Sequence, residues 1–262
     1  MASVPIEIER NNILANNSSV GIMKIVISQS MLFPWIGMLE QIRLADVYVF
    51  YDDVQFSKGA FTNRVQVKVP NGMQWMTIPL NGSHLGQKID GTRFAPVESW
   101  RHQHMQLLQA SFESSPYASD AIAIAERIFS GSYNSIGMLA RASLMALVRY
   151  YELDDTCKFR DVRELNIGGA GSDRVLEIVR QLSGTHYITG HGAANYLEHE
   201  KFEKAGVSVE YMDYQRHGYP QTHGSFTPYV TGLDLVANCG KDGIKFICSP
   251  TKSWRYFLGE SK

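Results

Sequence analysis

The stretch KIVISQSMLFPWIGMLEQIRLADVYVFYDDV, residues 24–54, decides the fold class. KIVIS is a short β-branched run with strand composition. PWIGMLEQIRLA carries Trp35, Leu39 and Ile42 at helical spacing, and VYVFYDDV is a second apolar run. Strand, loop, helix and strand follow in that order. Pro34 suits a helix start, because the N–H it lacks would be unpaired in the first turn anyway. The helix is predicted to begin near Trp35.

Downstream, FTNRVQVKV (61–69) and MQWMTIPL (73–80) flank Pro70-Asn71-Gly72, and an Asn-Gly pair supplies the positive φ a hairpin needs. We expect this hairpin to extend the sheet with antiparallel strands. From Trp100 the pattern becomes helical: WRHQHMQLLQASF, DAIAIAERIF and NSIGMLARASLMALVRYYEL repeat apolar residues at three and four positions, with Asn134 or Ser135 as a cap. A second alternation of strand and helix then runs through KFRDV, GGAGSDRVLEIVRQLSG, HYITG, GAANYLEHEKFEKAG and VSVEYMDY, with Gly206 as a helix stop. The prediction is an α/β fold: an open, mostly parallel, Rossmann-like sheet with an antiparallel extension and a helical subdomain. Its parts are a polar leader (1–21), an N-terminal α/β part bearing the site (22–99), the helical subdomain (100–155), and a second α/β part with a C-terminal segment (156–262). That last segment, from Arg216, is rich in aromatics and turn formers and shows no clear period.

The 262 residues are 44% hydrophobic and 19% charged, enough to bury a full core. With 25 basic and 26 acidic side chains the net charge is -1, which offers no general attraction to nucleic acid or to an anionic membrane. A small molecule is the expected partner. Cys157, Cys239 and Cys248 fit neither a zinc pair nor a disulfide framework. They read as core residues of a protein in a reducing compartment. No membrane-length apolar run or signal peptide is present, so a cytoplasmic location is expected. Nothing in the sequence calls for a cofactor or a metal.

In open α/β sheets, ligands collect beyond the carboxyl ends of strands and at helix N-termini. Gln29, Ser30 and Trp35 fall there, offering an amide, a hydroxyl and an aromatic face; close packing of the turn, with Trp35 in the core, is the equal alternative. Asp52 and Asp53 close the second strand. A carboxylate at this place can hold a ribose, but no G-x-G-x-x-G follows the first strand. The pair could also divide acid and base duties, although consecutive strand residues point to opposite faces and only one should reach the site. Asn63 and Arg64 could orient a carboxylate or phosphate. GGAGSDRVLEIV runs a glycine-rich loop into a helix, an arrangement that can cradle phosphate, but it lacks the Lys-Ser/Thr ending of a P-loop, and Ser172 as an N-cap with Asp173 at the dipole explains the residues without any ligand. His191, flanked by Gly190 and Gly192 after a strand, could serve as a base or donor at a cleft mouth.

Taken together, residues 26–67, the W-R-H-Q-H run, the S-P-Y at 115–117 and YITGHGAANYLEHEKFEKAGVSVEY resemble the WbqC-like family from about Met23 to Gly240. Its first block is matched by Gln29, Pro34, Trp35, Gly37, Asp52, Asp53, Val54, Gln55, Asn63 and Arg64, while Ser30 stands where that signature has proline. The resemblance implies a role among genes for bacterial surface polysaccharides or natural products. It suggests an enzyme that transfers an acyl or aminoacyl group, glycyl for example, to a nucleotide-linked amino sugar or similar amine. The implied catalytic residues are Asp52, Asp53 and His191, and the implied substrate-binding residues are Gln29, Trp35, Gln55, Asn63, Arg64, Gly190 and Gly192. Loss of Asp52, Asp53 or Arg64 should then cost over tenfold in turnover, at least about 1.4 kcal/mol. A nucleotidyl-transfer enzyme and a non-catalytic small-molecule-binding subunit are the alternatives. The first lacks paired histidines in QSMLFPW; the second should show a large exposed apolar patch and no enclosed pocket.

Overall fold

The computed structural model describes residues 21–82 and 84–259, so the expected leader lies outside the described residues except for Gly21. Strand β1 (Lys24–Ser28), helix α1 (Ile36–Leu44) and strand β2 (Val47–Phe50) form the unit read from the opening stretch. β1 pairs in parallel with β2 through Ile25↔Val47 to Ser28↔Phe50. Beyond β2 comes β5 (Lys158–Asp161), and on the other side of β1 come β6 (His186–Thr189), β7 (Ser208–Met212) and β8 (Thr251–Ser253). The order is β5-β2-β1-β6-β7-β8, parallel throughout except for β8, which pairs antiparallel with β7. The fold is α/β with a mostly parallel sheet, as the sequence predicts.

Strand alternation sorts the core into two layers. Val26, Tyr48, Phe50, Ile188 and Met212 face a large cluster shared with α1 and with helices α2 (Arg101–Phe112), α3 (Ala118–Phe129), α4 (Ile136–Tyr150) and α7 (Gly232–Cys239). Ile25, Ile27, Val47, Val49, Tyr187, Val209 and Tyr211 face a second cluster built on α5 (Gly171–Gln181), α6 (His199–Lys204) and the short α8 (Trp254–Phe257). Leu39 and Ile42 of α1 are wholly buried, each worth about 1.5–3 kcal/mol of apolar transfer. Two local signals hold: the Ser135 hydroxyl accepts from Met138 N–H to cap α4, and Gly206 after α6 takes φ +76°.

The hairpin forms, but not where expected. β3 (Arg64–Val69) and β4 (Gly72–Thr77) make a separate two-stranded sheet, with Gly72 at φ +112° in the turn. The place beside β2, where a hairpin following it in the chain would add, is taken by β5. β3 lies instead against α2, where the Ser111 hydroxyl donates to Lys68 C=O, and against the chain entering α7, where Thr231 N–H donates to Gln66 C=O. The antiparallel strand of the main sheet is β8, drawn from the segment without a period. Helix α1 begins one residue late, with Trp35 as its N-cap and Pro34 before it, where the Pro34 carbonyl accepts from Gly232 N–H. Cys157 and Cys239 are buried, but Cys248 is exposed and is not a core residue.

Candidate functional site

Because α1 covers one face of the sheet while α5 and α6 cover the other, the chain leaves neighbouring strands β1 and β6 in opposite directions. A crevice opens beyond their carboxyl ends at this switch point, the usual ligand position in such sheets. Here it is a hollow of about 710 Å³. Its floor is the end of β1 (Ile27, Ser28, Gln29) and of β6 (Thr189), and its walls come from the loops after β1, β2, β6 and β7.

The loop after β1 is held in an unusual shape. Phe33 is wholly buried at φ +37°, a left-handed conformation that costs a non-glycine residue about 1–3 kcal/mol. Its N–H donates to the Ser143 hydroxyl at 2.8 Å, and its carbonyl accepts from the Thr231 hydroxyl at 3.0 Å. The turn delivers Trp35 to the crevice wall, where its indole lies 4.9 Å from the Tyr214 ring and 6.1 Å from the Tyr229 ring. Gly37 makes room for this pose: a Cβ there would sit 2.3 Å from the indole.

Opposite stand Gly190, His191 and Gly192. His191 Nε2 lies 2.7 Å from the Met212 carbonyl, which can only accept, so Nε2 carries the hydrogen and Nδ1 keeps a free lone pair in the neutral ring. Tyr214 lies between this imidazole, 5.1 Å away, and Trp35, its ring tilted to both, while its hydroxyl accepts from the Gln41 amide at 2.9 Å. Burial pushes the Tyr51, Tyr187 and Tyr214 hydroxyls up, so these crevice tyrosines are neutral donors rather than bases. That leaves His191 as the candidate base.

The third wall is the GGAG loop running into α5. Ser172 is not its N-cap: Ala170 is, with no side-chain cap, and the Ser172 hydroxyl instead bonds Tyr196 C=O and Glu198 N–H. Gly169 and Gly171 adopt φ +86° and +61°, and Gly171 has open space where a side chain would be. The uncapped helix end therefore faces the crevice. The charged side chains on its lining are Arg174 and Arg216, and among the described residues no carboxylate lines it. Arg216, at φ +52°, lies over the Tyr229 ring at 5.4 Å and has no ion pair among the described residues. Sequence reading missed Arg216, Tyr214 and Tyr229, which sit in or beside the stretch with no period. Long-range bonds hold that chain: Gln215 N–H donates to the Ser249 hydroxyl, Thr222 to Ser111 C=O, and the buried Lys68 ammonium to Gln221 Oε1, Gly224 C=O and Ser225 C=O.

Of the residues predicted from sequence, Gln29, Trp35, Gly190, His191 and Gly192 share this crevice. The expected convergence of an acid and Arg64 upon them does not occur. Asp52 is 2% exposed and fully engaged: Oδ1 accepts from Ser30 N–H at 2.8 Å, and Oδ2 accepts from the Ser30 hydroxyl at 2.6 Å and from Arg141 Nη2 at 2.9 Å. Asp53 points the other way into a two-pronged pair with Arg174, at 3.0 and 2.6 Å. Neither carboxylate has a free face toward the hollow. Asn63 is buried with its amide donating to Ile78 C=O, and Gln55 forms an isolated bridge with Lys88. Arg64 opens β3, donates from Nε to Gly59 C=O and stacks 4.2 Å over Trp75, beside a second cavity. Among the described residues no helix is long and apolar enough to cross a membrane.

Residues 29–246 match the WbqC-like protein family. An uncharacterized protein of Mycobacterium tuberculosis, Rv1507c, is 26% identical over 227 residues, covering 86% of this chain and 97% of that protein. No solved structure matches the chain.

Proposed function

The chain belongs to the WbqC-like protein family, and from that premise we propose that it transfers an acyl or aminoacyl group to the amine of a nucleotide-linked amino sugar in making bacterial surface polysaccharide or a related natural product. The observation that carries this reading is the crevice lining: the Arg216 guanidinium, an uncapped helix end and an imidazole with a free Nδ1, beside Arg174, whose guanidinium is held by Asp53. Helix N–H groups and arginines attract phosphate oxygens. A base beside them can serve an amine carried on the same ligand.

In the proposed step the pyrophosphate lies along the GGAG loop, with Arg216 as its counter-ion. His191 Nδ1 takes a proton from the substrate ammonium, and the amine nitrogen forms a bond to the acyl carbonyl carbon. The tetrahedral oxyanion is met by N–H groups at the start of α1, which have no side-chain cap. The bond to the leaving oxygen or sulfur then breaks, the leaving atom keeps the electron pair and takes the proton back from the imidazolium, and the nitrogen gives its second proton to water, leaving a neutral amide. A concave hollow lined by polar and charged groups favours this reading over a non-catalytic binding subunit.

Thermal unfolding with a panel of nucleotides and nucleotide-linked amino sugars tests it. A ligand at a hundred times its Kd adds about 2.7 kcal/mol, raising Tm by roughly 5–10 °C in a domain of this size. His191→Ala should keep that shift and lose transfer. Stabilisation by ATP or CTP alone would favour nucleotidyl transfer, and no response to any phosphorylated ligand would end the proposal.

A further inference from the structure

A second cavity of about 330 Å³ adjoins the crevice, and the two share Met31, Trp35 and Tyr229 as a common wall. Its character is opposite. Leu32, Pro34, Val65, Val230 and the rings of Phe61 and Trp75 make up the rest of its apolar lining, and Gln66 brings an amide to it. Phe61, Trp75 and Tyr229 are each about half exposed at its rim, at 48%, 43% and 50%. Aromatic surface left wet around an apolar hole marks a place where a ligand removes it from water. Nothing in the transfer reading above has used this chamber.

We propose that the chamber takes the apolar acyl group of the donor, so that the transferred group is a medium-length hydrocarbon or aromatic acyl rather than glycyl. The inference rests on the transfer reading for what the acyl group is attached to, but not for its binding. Three observations carry it. The chamber is contiguous with the crevice at Trp35, so a carbonyl held there can face an amine in the polar hollow while its tail lies on the apolar side. Its size is right: an apolar cavity of about 150 Å³ binds benzene, so one roughly twice as large holds a chain on the order of eight to twelve carbons. Its lining cannot satisfy a small polar group, since the ammonium of a glycyl donor would lose its water and meet no carboxylate. Arg64 above Trp75 and Arg216 above Tyr229 put a cation at each end of the aromatic rim, suited to an anionic carrier passing outside.

The test uses acetate, butyrate and octanoate titrated into the whole protein, followed by calorimetry and tryptophan fluorescence, with the nucleotide-linked amino sugar titrated separately. Affinity should rise about fourfold per methylene from acetate to octanoate, as buried hydrocarbon requires. Val65→Phe fills the chamber and should abolish this dependence on length while leaving the nucleotide sugar bound. Trp75→Ala, on the exposed strand β4, removes one rim ring without disturbing the core and should weaken octanoate at least fivefold, which keeps the test valid if the Val65 variant does not fold. Equal affinities for acetate and octanoate, or octanoate binding untouched by both substitutions, would overturn the inference. Octanoate binding without any nucleotide-sugar binding would leave the apolar site standing and remove the transfer reading, whereas the reverse would remove the chamber and leave the transfer.

Discussion

Replacing Asp52 by Asn separates a structural role from a catalytic one. The carboxylate takes three hydrogen bonds, two from Ser30 and one from Arg141, and is 2% exposed. An amide keeps one acceptor oxygen, which can stay on Ser30 N–H. Its NH2 then faces the Ser30 hydroxyl, which can turn to accept, and the Arg141 guanidinium, which cannot. Removing one partner of a fully buried ion pair costs about 3–5 kcal/mol. Arg141 keeps its second arm on Asp161 at 2.7 Å and its side chain is 24% exposed, so water and Asp161 recover part of the loss. A lost charge-assisted hydrogen bond, about 1.5–3 kcal/mol, sets the scale, and we expect roughly 2–3 kcal/mol for Asp52→Asn. At about 2–4 °C per kcal/mol, Tm falls by roughly 4–12 °C. Urea unfolding should show a lower midpoint at an unchanged slope. Ligand affinity and turnover, measured well below the new Tm, should stay within about threefold of the parent, a difference under roughly 1 kcal/mol. A Tm within about 1 °C of the parent, together with a tenfold or greater loss of turnover, would refute this reasoning and return the carboxylate to the chemistry.

Gly37→Ala gains helix propensity of up to about 1 kcal/mol but places a methyl 2.3 Å from the Trp35 indole. Stability should hardly change, while octanoate and nucleotide-sugar affinities fall together and the tryptophan emission shifts; unchanged affinities for both would refute the shared wall. Lys68→Met removes three hydrogen bonds that hold residues 221–225. Trypsin should then cut faster at Arg216, and phosphate-bearing ligands should bind more weakly. Asp161→Asn probes pH. Burial alone would raise the Asp161 carboxyl, but hydrogen bonds from Arg163 and Arg141 outweigh it and hold the group well below its ordinary 3.8. A depressed folded-state pKa stabilises the protein above the unfolded value and is lost as pH falls through the window beneath it. The variant should therefore be less stable than the parent at pH 7, with the gap closing below about pH 4 in urea titrations. A gap constant from pH 7 to pH 3 would contradict the assignment.

Local patterns in the sequence reveal the parts of this fold that local forces decide. The strand-loop-helix-strand unit, the Ser135 cap and the Gly206 stop follow from spacing and backbone preference within a few residues. The alternation rule also anticipated the two acids: Asp52 turns to the α1 side and Asp53 to Arg174 on the α5 side. What alternation could not reveal is that each meets an arginine far along the chain, 89 and 121 residues away, which takes both acids out of the hollow. The hairpin's failure to join the main sheet has the same origin, since β5, far along the chain, takes the place beside β2. Arg216 and Tyr229 were invisible because their segment is held by scattered bonds to Ser249, Ser111, Lys68 and Gln66 rather than by any period of its own. An uncapped helix start following two glycines with positive φ was the one legible sign of the third wall, and the adjacent Ser172 offered a sufficient explanation without it.

The strained turn at Phe33 explains why the reacting centre should lie at Trp35. A left-handed phenylalanine costs about 1–3 kcal/mol, and a chain free to choose would relax it. It does not relax because Phe33 N–H is held by Ser143, its carbonyl by Thr231 and the Pro34 carbonyl by Gly232. At about 0.5–1.5 kcal/mol each, three such bonds offset the strain, and the buried ring adds more. The loop is thereby set by α4 on one side and by the start of α7 on the other, rather than by its own preferences. The indole it presents stands between a cationic hollow and an apolar one, with Tyr214 and His191 on the polar side. A substrate that fills both hollows must change from polar to apolar as it passes this ring, and in an acyl donor that change occurs at the carbonyl carbon.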